Sequence, residues 1–301
     1  MDGPENKSAD VNGTDTDVVG EQSEKSVHED HPSTMSVLLS FVRREIHTAL
    51  LTPSYLGLCV TIFVAVFGII LVGGGFQAGY VSTVVDLLTP LQLLVPVAVV
   101  ALGYSAVLSD NQSGELDVFE TYPISAGQYV LGVFLGRALG TLVAIGAPLV
   151  VLFFPLAVTD APRLPMYASH TGADSPFLYL RLVVLTLLFA LVVLAIVIAL
   201  SALVSTARTA ILAASVLLVL LLFGLDLALS FGFSMGVIGE SNLVSSLAIS
   251  PLSAYRGLVL ETAIVVTEGT GPDAASPIAS AFGLFVWGTA ALTLATFTLR
   301  R

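Results

Sequence analysis

The side chains most able to do chemistry in this sequence are the few charges set among long apolar runs. These are Arg137 within 128–158, Asp226 within 210–231, and Asp86 just ahead of 88–109. An ionised group inside a membrane is costly and marks a functional site by default. Arg137 falls roughly 15 Å along a helix from Gly127 at about 1.5 Å per residue, deep enough to act as an intramembrane charge. It could equally snorkel to the headgroups along a tilted helix. Asp226 comes about 17 residues into its run, so it is expected near the opposite surface and out of reach of Arg137. It and Asp86 read as isolated acids.

Catalysis at membrane depth needs a nucleophile with a base, paired acids, or metal ligands. Histidine occurs only at 28, 31, 47 and 170, so no apolar run offers imidazoles for haem or zinc. Cys59 is the sole cysteine, which leaves no intrachain disulfide and no cysteine metal cluster. No lysine follows Lys25, so the body has no Walker A loop. These residues imply no catalytic group, no metal site, no cofactor in this chain and no nucleic-acid partner. An intramembrane enzyme is set aside on the same grounds.

The elements that must hold these residues are membrane helices. Of the 301 residues, 55% are hydrophobic and 11% charged, with a mean hydropathy of +0.94. A soluble domain has about 25% charged residues. Residues 1–34 carry nine acids against two lysines and almost no large apolar side chain. They read as a disordered acidic cytoplasmic tail, without the basic start and apolar run of a signal peptide. The scarcity of lysine also suits a proteome adapted to high salt, where a Debye length of about 3 Å at about 1 M screens the tail's self-repulsion.

From Met35 to Leu51, the residues Val37, Leu38, Phe41, Val42, Ile46, Ala49 and Leu50 recur at helical spacing, with Arg43, Arg44, Glu45 and His47 mostly off the stripe. That pattern predicts an amphipathic helix in the membrane interface. A spanning helix needs about 20 apolar residues. Six stretches qualify, at about 55–75, 88–109, 128–158, 178–204, 210–231 and 277–299. Pro148 and Pro155 offer bends in the third. The expected fold is an all-α integral membrane protein, with six transmembrane helices and the interfacial helix together filling 35–301. Arg43, Arg44, Arg208, Arg300 and Arg301 on one side outnumber Arg163, Arg181 and Arg256 on the other. The positive-inside bias then puts both termini in the cytoplasm.

Two local patterns stand out. Ser113 is a good N-cap, Glu115 sits in the following first turn, and Leu116, Phe119 and Tyr122 share a face before Pro123 ends the helix. Such a helix docks into a partner's groove or rests on the bilayer, and spacing leaves the two readings even. Gly132, Gly136, Gly140, Ala144 and Pro148 recur every four residues, making overlapping G-x-x-x-G units that let another helix approach closely. Packing within the chain is preferred to a dimer seam.

The run Leu108-Ser-Asp-Asn-Gln-Ser-Gly-Glu-Leu, then Tyr122-Pro-Ile-Ser, then Leu131-Gly-Val-Phe-Leu-Gly-Arg137 resembles the membrane subunit of ABC-2 type exporters. A second segment, Ser250-Pro-Leu-Ser-Ala-Tyr-Arg256, is similar to the Asn-Pro-x-x-x-Tyr/Phe-Arg element of the NosY-like branch, whose permeases serve nitrous-oxide reductase maturation. The resemblance covers about 35–301. It implies a non-catalytic permease moved by a separate ABC ATPase through a coupling helix that contains Ser113, Gly114, Glu115, Leu116, Phe119 and Pro123. It also implies an extracytoplasmic motif at Pro251, Tyr255 and Arg256. The partners it implies are the ATPase, a second permease chain in a homodimer or heterodimer, and an extracytoplasmic maturation protein. Asn111 or Gln112 stands where relatives have a basic residue, Ser125-Ala126 where they have Ser-Arg, Gly132-Val133 where they have Gly-Lys, and Ser250 where they have Asn. The cargo implied is copper-related, with lipid, drug or antibiotic export as the alternative.

Overall fold

The computed structural model describes residues 53–108, 125–159, 174–237, 246–265 and 275–299. The acidic tail, the interfacial helix expected at 35–51 and the short helix expected after Ser113 lie outside the described residues. Among those described there is no strand. Six helices are long and apolar enough to cross a membrane. They are α1 (Pro53–Val72), α2 (Tyr80–Gly103), α3 (Ala126–Val158), α4 (Pro176–Leu203), α5 (Ala207–Ser234) and α7 (Pro277–Leu299). Between the last two comes a shorter helix, α6 (Pro251–Val259).

Four of the starts have a local cause. Ser125 and Gln128 form a capping box on α3, and Thr206 and Thr209 form one on α5, satisfying backbone N–H groups that a helix start leaves unpaired. Ser175 and Ser250 cap α4 and α6, with Pro176 and Pro251 in the first turn. The start of α2 is capped from far away. The Asp174 carboxylate accepts from Tyr80 N and Val81 N at 3.0 Å, and Gly79 turns there with φ 89°. A side chain on Gly79 would collide with that carboxylate. This cap places the start of α2 at Tyr80, eight residues before the expected 88. Asp86 is therefore inside the helix, and its carboxylate lies where a Gly73 side chain would stand. The expected end at 109 is also displaced: α2 stops at Gly103 and 104–107 turn.

The helices alternate in direction. The starts of α1, α3 and α5 and the ends of α2, α4 and α7 share one end of the bundle, here the proximal end. The ends of α1, α3 and α5 and the starts of α2, α4 and α7 lie at the opposite, distal end. Helix α4 is the core, packing on α2, α3, α6 and α7, with Leu182, Phe189, Val193, Leu194 and Ile198 almost fully buried. Helices α1 and α5 are peripheral, with 17% of their apolar window buried against 67% for α4. Leu212, Val216, Phe223 and Leu227 of α5 face outward, as expected where the solvent is lipid. A π turn at Leu220–Gly224 interrupts α5.

Candidate functional site: a re-entrant helix and a gripped proximal segment

Helix α6 does not lie on the distal surface. Tyr255 stacks on Phe189 with ring centroids 4.7 Å apart and planes 10° apart. Phe189 is about 20 Å along α4 from its distal start, at about 1.5 Å per residue. Trp287, about 15 Å into α7 on the same rise, donates Nε1 to Ile249 O at 2.8 Å. The chain after α5 thus dips to mid-depth, turns at Ser250-Pro251 and climbs back. Thr262, beyond α6, accepts from Arg181 in the first turns of α4. Non-helical backbone at such depth is tolerated only when buried in protein. Ser250 meets that condition at 0% exposure, and its hydroxyl accepts from Ser253 N. Gly283 gives the room, because any side chain there would strike Ala248 O.

The expected extracytoplasmic motif maps onto this re-entrant helix, and its residues take three separate positions. Pro251 occupies the first turn. Tyr255 is fully buried, and its hydroxyl lies 2.8 Å from Thr186 Oγ1. Thr186 spends its own proton on Leu182 O at 2.7 Å, so Tyr255 is the donor. Arg256 turns away toward α5 and forms an ion pair with Asp226, Nη2 to Oδ2, at 3.3 Å. Ser253 Oγ donates to the other carboxylate oxygen at 2.9 Å. Asp226 is therefore not an isolated acid: its partners were out of sight because they follow 27 and 30 residues later. The cluster lines an open recess of about 430 Å³, whose walls include Leu229, Phe233, Leu247 and Leu260. The recess joins one ion pair to an apolar wall, a surface for an amphiphilic contact. Among the described residues, no group of three or more His, Cys, Asp or Glu is placed to hold a metal ion.

At the other end, Arg137 is bonded to α2 and does not approach Asp226. Its Nη1 donates to Leu102 O at 2.8 Å and its Nη2 to Ala106 O at 3.4 Å, at the terminus of α2. A guanidinium there satisfies an unpaired carbonyl and complements the negative end of the helix dipole. Gly132, Gly136 and Gly140 are buried, as are Ala144 and Pro148, while Leu131, Leu135, Leu139 and Val143 face outward. The small-residue ridge of α3 is thus covered by this chain's own helices. Ser113, Gly114, Glu115, Leu116, Phe119 and Pro123 lie outside the described residues. Sequence reasoning missed Asp174, Thr186 and Ser201, which are single polar residues whose partners are remote in sequence.

Comparison with known proteins agrees with this architecture. The model of the ABC-2 family transporter protein matches residues 6–301. The chain is 30% identical over 287 residues to the Pseudomonas aeruginosa protein named "Probable ABC transporter permease protein NosY", covering 89% of this chain and 99% of the relative. It is 28% identical over 110 residues to the Stutzerimonas stutzeri protein of the same name, covering 35% of this chain and 40% of the relative. Members of this family are membrane transport subunits, generally non-catalytic, that work with an ABC ATPase. With six apolar helices and a match over nearly its whole length, the chain belongs to the ABC-2 family of transporter permeases.

Proposed function

We propose that the protein is the membrane half of an ABC exporter, driven by a separate ATPase that grips the segment 109–124 between α2 and α3. The observation that carries this reading is the family match over 6–301 together with the gripped segment that leads into that loop. The proximal end of the bundle is then cytoplasmic, with both chain termini on that side, and the re-entrant helix faces the outside. Arg208 at the start of α5 and the arginines at 300 and 301 favour that orientation. Two copies of the chain complete the transporter, an arrangement that the lipid-facing surfaces of α1 and α5 leave room for.

The cargo we propose is tied to copper-enzyme maturation. The near-complete coverage of a NosY relative supports this branch. The re-entrant helix would present its recess to an extracytoplasmic maturation protein. Two experiments test the proposal. Tagged protein drawn from its native membranes should bring with it a polypeptide bearing a Walker A motif, in stoichiometric amount. Cells lacking the gene should then make a nitrous-oxide reductase deficient in copper. An ATPase partner with normal reductase copper would keep the permease and overturn the cargo.

A further inference from the structure

The turn 104–107, which leads from α2 through Leu108 toward 109–124, has left the α-helix, yet its end is buried: Ala106 is 0% exposed, and Val107 and the following Leu108 are 2%. Backbone groups buried outside a helix must find partners. Here they find them on two other helices. Arg137 of α3 takes the carbonyls of Leu102 and Ala106. Ser201 of α4, itself 1% exposed, takes the amides: Val107 N and Leu108 N donate to its Oγ at 3.0 and 3.2 Å. Helix α4 can come so near because Gly103 has no side chain; a Cβ there would lie 2.8 Å from Val197 Cγ1. Four backbone groups within seven residues are thus held by two side chains from two different spans.

We propose that Arg137 and Ser201 form a two-point grip that transmits motion from the cytoplasmic loop to the spans. The inference rests on the permease reading above. A pull on 109–124 reaches the start of α3 on one side and residues 102–108 on the other. Because their carbonyls are tied to α3 and their amides to α4, that pull cannot displace the end of α2 alone. Helix α4 is the core helix, in contact with α6 along its buried face, so the displacement continues to the re-entrant helix. Arg137 and Ser201 are positioning residues in this scheme: neither needs to touch cargo or nucleotide.

The test uses the complex of the protein with its ABC ATPase, purified from native membranes, in a Cys59→Ser background. Spin labels at Phe177 and Met235, exposed at the distal ends of α4 and α5, report the distance between those ends before and after trapping with ATP and vanadate. The parent should show a shift in the distance distribution. Arg137→Gln and Ser201→Ala should each reduce that shift by at least half, while ATP hydrolysis and the amount of bound ATPase stay within twofold of the parent. Arg137→Lys, which keeps a charge and one carbonyl contact, should be intermediate. Ser201→Ala removes only an oxygen, so it keeps the test open if the arginine variants fold poorly. A full shift in Ser201→Ala overturns the grip. So does a shift that falls only in proportion to lost ATPase, which would mark a merely structural role. A parent that carries no ATPase overturns the proposed function, and the grip with it.

Discussion

The Tyr255 hydroxyl donates to Thr186 Oγ1 across 2.8 Å at mid-depth of the bundle, while the Tyr255 ring stacks on Phe189. This single side chain anchors a helix of only nine residues against the core helix of the protein. The two halves of the anchor separate by substitution. Tyr255→Phe keeps the stack and removes one hydrogen bond. Thr186 retains its bond to Leu182 O, so the loss should be about 1 kcal/mol. Tyr255→Ala empties a fully buried site and should cost about 3–5 kcal/mol. Thermal unfolding in detergent should show a small shift for the first and a large one for the second, with α6 becoming accessible to protease.

The ion pair of Asp226 with Arg256 is more exposed, with side chains 24% and 46% accessible. Its contribution to stability is correspondingly small, about 0.5 kcal/mol, and it should fall with added salt. Ser253 adds a hydrogen bond to the same carboxylate, so Asp226→Asn should perturb more than Arg256→Gln. A double-mutant cycle on unfolding should give a coupling energy below about 1 kcal/mol for the pair. A larger value would mean that the recess is drier in the membrane than its opening suggests.

Orientation is testable without any partner. In a Cys59→Ser background, single cysteines at Ser169 and Ser276 should react with a membrane-impermeant maleimide in intact cells. Cysteines at Ser113 and Ser205 should react only after lysis. Ser276 closes the distal approach to α7, and Ser205 lies in the three-residue proximal connection between α4 and α5. The opposite labelling would invert the proposed topology and remove the cytoplasmic setting of 109–124.

The six spans were legible because a membrane helix announces itself by an apolar run of about 20 residues. Five expected spans, at 55–75, 128–158, 178–204, 210–231 and 277–299, lie within three residues of the observed ends. The second did not, and the reason is physical: its start is fixed by Asp174, which comes 94 residues after the amide that it caps. The depth of α6 was equally hidden. Its nine residues are too short and too polar to register as a span, and what carries them inward is Tyr255 against Phe189 and Ile249 O against Trp287. Arg137 was noticed as a buried charge, but its carbonyl partners carry no sequence signature. Ser201 gave no signal at all, since a lone serine in an apolar helix looks like any other.

The loop 109–124 bears most directly on function, and its substitutions separate docking from a bilayer rest. If the helix expected after Ser113 seats in an ATPase groove, Leu116 and Phe119 are its anchors, and truncating such anchors costs a few kcal/mol of binding. Glu115 at the rim should tolerate removal better than reversal. Phe119→Ala and Glu115→Arg should therefore insert normally, keep the unfolding temperature of the parent, and lose co-purification with the ATPase or its coupled hydrolysis. Gly127→Ala is the control at the far side of the loop. A Cβ there would meet Thr296 Cγ2 at an ordinary 3.7 Å, so the variant should lose less than half of the bound ATPase. Should Phe119→Ala keep full association and full hydrolysis, the helix rests on the lipid surface. The force would then have to enter the spans somewhere other than residues 102–108.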